Sequence, residues 1–141
     1  MYKIEKRFTL PIGHRLSKHE GRCFSIHGHN FSVLVGLKSE FLNENDMIID
    51  FSELKHIVNN FLDQLDHCLM LNENDKDTVE KVKEMGIRMF PVPFDPTAER
   101  LAKMIYDYVE SAFQIEPFMH IIVDYVTVFE NENSKTTFMK E

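Results

Sequence analysis

Apolar residues alternate with polar ones at the start of the chain and recur at intervals of three and four in its middle. Residues 2–10 place Ile4, Phe8 and Leu10 on one alternating face, and residues 31–37 (Phe31, Val33, Leu34, Val35, Leu37) are rich in side chains that suit a pleated strand. From Asp50 the period changes. Phe51, Leu54, Ile57, Val58, Phe61, Leu62 and Leu65 form a helical stripe, with Asp50 as N-cap and Glu53 completing a capping box. A second helix follows Pro96, capped by Thr97 and carrying Leu101, Ala102, Ile105, Val109, Ala112 and Phe113; Pro117 marks its end. Residues 119–129 are apolar and β-branched, and a polar turn over 131–134 leads to Thr136, Thr137 and Phe138, which predicts a closing hairpin. Between 72 and 96, Asp77, Thr78 and Glu80 open a short helix through Val79, Val82 and Met85 that Gly86 stops, and 87–90 forms a brief extra strand. Strands at both ends with helices between them predict an antiparallel sheet carrying helices on one face, an α+β fold.

Composition narrows the function. With 141 residues, 43% of them hydrophobic, and no repeat or linker, the chain reads as one domain, 1–141, with a core that needs no disulfide staple. Sixteen Lys plus Arg against 23 Asp plus Glu give a net charge of -7, which argues against a general phosphate-backbone binder. Any anionic ligand must then be met by local cations. No apolar run approaches the ~20 residues of a membrane span and the first residues lack a signal-peptide pattern, so the expectation is a soluble, cytoplasmic protein. In that compartment Cys23 and Cys68 are expected as free thiols.

The strongest chemical signal is His27-Gly28-His29. Alternation on a strand puts both imidazoles on one face, and antiparallel pairing can bring His14 across from them. Three neutral imidazoles suit a catalytic zinc, although histidines at this spacing also occur as surface or satisfied core residues. Cys23, four residues before His27, admits three readings. It is a fourth ligand closing a structural cage, a thiol beside an open metal site acting as base or nucleophile, or an inert packed side chain. Asp66-His67 offers a carboxylate next to an imidazole. Neighbours on a regular helix point about 100° apart, so a direct pair requires the chain to leave helical geometry there; otherwise this is a solvated helix end.

Taken in order, Cys23-x3-His27-Gly28-His29-Asn30-Phe31, Ile49-Asp50-Phe51, Leu65-Asp66-His67, Leu71-Asn72, Pro96-Thr97-Ala98-Glu99 and Glu130 resemble the 6-pyruvoyltetrahydropterin synthase and 6-carboxytetrahydropterin synthase family over nearly the whole chain. The three-residue gap after Cys23 is similar to the bacterial 6-carboxy branch, of queuosine (deazapurine) biosynthesis. The resemblance implies a tunnelling fold, with two helices on a four-stranded antiparallel sheet, assembled into an oligomeric barrel with sites between subunits. It also implies a zinc ion on His14, His27 and His29, Cys23 as catalytic base, Asp66 and His67 carrying its proton, and Glu130 holding the pterin. The implied substrate is 7,8-dihydroneopterin triphosphate, and the products are 6-carboxy-5,6,7,8-tetrahydropterin, acetaldehyde and triphosphate. Triphosphate elimination to 6-pyruvoyltetrahydropterin is the alternative within the family, and a noncatalytic zinc-stabilised oligomeric binding module the alternative outside it. Arg15, Lys18, His19 and Arg22 cluster near the metal segment as candidate triphosphate contacts, while Thr97 and Glu99 read as helix-start residues and Cys68 as a packed thiol. The segment from Glu73 to Asp95 is longer than in compact 6-carboxy enzymes.

Overall fold

The computed structural model describes residues 1–141. Two long strands, β1 (Tyr2–His14) and β2 (His27–Ser39), pair antiparallel along their whole length, from Tyr2 opposite Ser39 to His14 opposite His27. Helix α1 (Phe51–Leu65) follows, then β3 (Leu69–Asn72), α2 (Lys76–Glu84), β4 (Met89–Val92), α3 (Ala98–Ala112) and the hairpin β5 (Ile122–Asn131) and β6 (Ser134–Phe138).

The sheet has six strands in the order β4-β3-β1-β2-β5-β6, not four, and it is mixed rather than antiparallel. Strand β3 runs parallel to β1, and β4 parallel to β3. The sequence showed the helix and brief strand between 72 and 96 but not β3. That strand is four residues long and fully buried, so it has no alternation to read.

Core packing follows the pleat. Phe8, Leu10 and Ile12 of β1, Phe31, Val33, Val35 and Leu37 of β2, and Val123, Val126 and Val128 of β5 point to one face and meet Leu54, Val58, Leu62 and Leu65 of α1 and Leu101, Ile105 and Val109 of α3. Burying each such side chain contributes roughly 1.5–3 kcal/mol. The two main helices share this face, as expected. Helix α2 does not. Met70 joins the main core, whereas its neighbours Leu69 and Leu71 pack with Val82 of α2 in a separate cluster, so α2 covers the opposite face at the parallel edge.

Helix ends obey the capping signals with one difference. The Asp50 carboxylate accepts from the Ser52 N–H at 2.7 Å and from the Ser52 hydroxyl, and Ser52 rather than Glu53 is its partner. Thr97 accepts from the Arg100 N–H at 3.3 Å, and Gly86 follows α2 with φ of 70°.

Candidate metal centre and thiol site

The inward row of each long strand ends in histidine. On β1 it reads Phe8, Leu10, Ile12, His14; on β2 it reads Phe31, His29, His27, and the register sets Leu10 against Phe31, Ile12 against His29 and His14 against His27. Apolar burial therefore fixes the register that gathers the imidazoles. Their ligand atoms all lie within 4.8 Å of one another, and no other Cys, His or carboxylate residue joins the group.

Hydrogen bonds fix the tautomers of two of these rings. His14 Nδ1 donates to the Pro96 carbonyl at 2.8 Å, and His27 Nδ1 donates to the Ser25 carbonyl at 2.7 Å. Each Nδ1 thus carries a proton, which leaves each Nε2 as the atom able to ligate. Yet the two Nε2 atoms face each other at 2.9 Å. Two lone pairs at that distance repel, and a shared proton or a metal cation between the rings removes the conflict. His29 Nε2 is buried without a hydrogen-bond partner, 3.4 Å from a Glu130 carboxylate oxygen. Burial, opposed by the Pro96 carbonyl but reinforced by His27 and His29, holds the His14 pKa below its usual value and favours the neutral, ligating form. Three nitrogen donors with unused lone pairs fit a transition-metal ion.

Cys23 stands on a one-turn 3-10 helix, Arg22–Phe24, and is a half-buried free thiol. Its sulfur does not belong to the clustered ligand group. The thiol lines a cavity of about 430 Å³ with Thr97, Glu99, Glu130, Ser134 and Thr136. Glu99 and Thr97, which sequence reasoning kept as helix-start residues, thus share the cavity with Cys23, and the linked Pro96-Thr97-Ala98-Glu99 run was the signal available for them. Thr97 does cap its helix as well.

Asp66 and His67 form the direct pair that a regular helix forbids. Asp66 ends α1 in extended geometry and His67 adopts φ of 58°, which brings His67 Nδ1 to 2.8 Å from the Asp66 carboxylate while the His67 N–H donates to the Pro11 carbonyl. His67 is solvent-exposed at the rim of a second cavity, about 350 Å³, whose lining includes Pro11, Gly13, Gly28 and Asn30. Within one chain His67 and Cys23 line different cavities.

Two other expectations resolve. Arg15 is not a free cation: it donates to the Phe24 carbonyl and to Asp75 and Thr78, whereas Lys18, His19 and Arg22 are exposed. Cys68 is 4% exposed, donates to the Gln64 carbonyl and accepts from Arg88, a packed thiol as anticipated.

An α+β sheet ends in three clustered imidazoles that could hold a metal ion, beside a cavity lined by a thiol, hydroxyls and carboxylates. A family model described as 6-pyruvoyl tetrahydropterin synthase matches residues 3–141, and the chain belongs to that family. It is 30% identical over 99% of both chains to the 6-carboxy-5,6,7,8-tetrahydropterin synthase of Aquifex aeolicus. It is 32% identical, over 82% of this chain and 86% of the relative, to the protein of the same name in Haemophilus influenzae. Among solved structures, an uncharacterized protein of Wolinella succinogenes superposes with a TM-score of 0.80 at 23% identity, over 99% of this chain and 98% of that one. The 6-pyruvoyl tetrahydropterin synthase of Caenorhabditis elegans superposes with a TM-score of 0.72 at 23% identity, over 99% and 96%. These two likenesses bear on the fold.

Proposed function

We propose that this chain is a zinc-dependent 6-carboxy-5,6,7,8-tetrahydropterin synthase of queuosine biosynthesis, a lyase converting 7,8-dihydroneopterin triphosphate and water to 6-carboxytetrahydropterin, acetaldehyde and triphosphate. The names of its curated relatives favour this product over 6-pyruvoyltetrahydropterin. The observation that carries the reading is the pair of opposed Nε2 lone pairs, with a free thiol in the adjoining cavity.

His14, His27 and His29 hold the ion, which when bound supplies Lewis-acid stabilisation to negative charge developing on the substrate side chain. Glu130 presents two acceptors to adjacent N–H donors of the pterin edge, a bidentate match that selects the ring. The Cys23 thiolate removes a proton from the side-chain carbon. His67 then relays or returns protons through its ring, with Asp66 on Nδ1 fixing tautomer and orientation.

Because Cys23 and His67 line different cavities, we assign Cys23 and the Asp66–His67 pair to one site shared between neighbouring copies of a homo-oligomer with tunnelling-fold architecture. We further assign a single domain over 1–141 and a cytoplasmic setting, supported by two free cysteines. No helix is long and apolar enough to cross a membrane.

Incubation with 7,8-dihydroneopterin triphosphate tests the reading: acetaldehyde and the 6-carboxy product support it, and triphosphate release with a 6-pyruvoyl product refutes the branch assignment. Cys23→Ala is expected to keep zinc and lower turnover by roughly 10²–10⁴-fold. Loss of zinc together with a weakened fold would favour a structural cage.

A further inference from the structure

Cys23 rests on a turn with no apolar footing. The 3-10 helix Arg22–Phe24 contains no buried residue, and Phe24 and Ile26 are 46% and 54% exposed. A lone turn of this length does not hold itself in place. Polar attachments do that here. The Leu16 N–H donates to the Cys23 carbonyl at 2.9 Å. Arg15 Nε donates to the Phe24 carbonyl at 2.8 Å, and the guanidinium carbon lies 4.0 Å from the centroid of the Phe24 ring. The other edge of the same guanidinium reaches the start of α2: Arg15 Nη1 donates to Asp75 Oδ2 at 3.0 Å and to the Thr78 hydroxyl, which itself donates to Asp75 Oδ1 at 3.0 Å. The Arg15 and Asp75 side chains are 18% and 14% exposed, so the pair is shielded from screening by salt.

We infer that Arg15 is a positioning residue for Cys23, clamped by Asp75 and Thr78 so that the β3–α2–β4 extension braces the turn carrying the thiol. The inference rests on the reading of Cys23 as the base. Helix α2, on the far side of the sheet, thereby steadies a group on the near side. A planar fork is required, because one side chain must serve the Phe24 carbonyl, the Phe24 ring and the Asp75 carboxylate together, which an ammonium cannot do. The rival role for Arg15, a direct contact with the triphosphate, makes the opposite kinetic prediction.

The test uses the full-length, zinc-loaded protein with Asp75→Asn, Thr78→Val and Arg15→Lys, none of which changes a metal ligand. Cys23 alkylation by iodoacetamide is followed by peptide mass spectrometry, with buried Cys68 as internal reference, alongside zinc content and steady-state kinetics. Loosening the turn is expected to raise the Cys23 alkylation rate by about fivefold in Asp75→Asn, with Cys68 still slow. A misplaced thiol is expected to lower kcat by about tenfold or more, with KM within roughly twofold of wild type and zinc retained. Arg15→Lys is expected to behave as Asp75→Asn does, and Thr78→Val, the mildest change, to move in the same direction. Unchanged Cys23 alkylation in Asp75→Asn and Thr78→Val overturns the inference, as does an Arg15→Lys enzyme with normal kcat and raised KM. If the wild type fails to turn over the pterin triphosphate, the function proposal falls, while the alkylation rates still decide whether Arg15 and α2 hold the turn.

Discussion

The opposed lone pairs of His14 and His27 have a thermodynamic signature that can be worked out. In the metal-free protein two neutral rings, each with its Nδ1 proton committed to a carbonyl, hold their Nε2 atoms 2.9 Å apart, and His29 Nε2 is buried with no hydrogen bond. A cation that binds the folded state and not the unfolded chain adds RT ln(1 + [L]/Kd), about 4.1 kcal/mol at a free concentration near 1,000 Kd. For a chain of this size each kcal/mol moves the melting temperature by roughly 2–4 °C, so zinc should raise Tm by roughly 8–16 °C over chelator-treated protein. His27→Ala removes a donor and also the repulsion, so its metal-free Tm should stay within a few degrees of the metal-free wild type, about 1 kcal/mol. Its zinc-induced increment should nearly vanish if loss of the ligand weakens binding by about a thousandfold, equivalent to ~4.1 kcal/mol. Differential scanning calorimetry with and without zinc and EDTA reads both quantities. A wild-type Tm indifferent to zinc, or an undiminished increment in His27→Ala, would refute the reasoning from the tautomers.

Mixing inactive Cys23→Ala with inactive His67→Ala under conditions that exchange subunits should restore part of the activity, because about half of the hybrid sites pair an intact thiol with an intact imidazole; a mixture as inactive as its parents would place both groups in one chain's site. Glu130→Gln should raise KM for the pterin substrate far more than it lowers zinc content, since one acceptor oxygen of the bidentate pair becomes a donor, a loss of about 1.5–3 kcal/mol or at least tenfold; loss of zinc in parallel would make Glu130 a support of His29 instead. In metal-free protein the lowered pKa of His14 means that the unfolded chain takes up this proton first, near the ordinary 6.5. Urea-unfolding stability should therefore fall as the pH drops below about 6.5 and level off under the folded-state pKa. His14→Gln should flatten that limb, and an unchanged slope would count against the shift.

What could be read from the chain and what could not divide along physical lines. Helices α1 and α3 announce themselves because each has a full apolar stripe and a capping side chain, Asp50 and Thr97. The histidine pair on β2 was legible for the same reason that a half-buried strand is: alternate residues share a face. The sheet's size was not. The brief strand over 87–90 foreshadowed β4, but β3 is four fully buried residues that owe their place to α2 on one side and the main core on the other, a tertiary circumstance without a local pattern. Arg15 reads as one cation in a basic cluster, and only the fold discloses that Asp75, sixty positions later in the chain, has already claimed it. The Asp66–His67 contact was deducible as a condition, an abrupt exit from the helix, whose fulfilment depends on the left-handed backbone at His67.

The continuity of the inward rows has a further consequence. Side chains on a strand alternate strictly, so sliding β1 against β2 by a single position would turn Leu10, Ile12 and His14 outward together while Phe31, His29 and His27 of β2 still faced the core. Correct zippering of the greasy rungs therefore proofreads the histidine cluster: a molecule that has misassembled these three rings has also lost its core, and no well-folded but miswired population should accumulate.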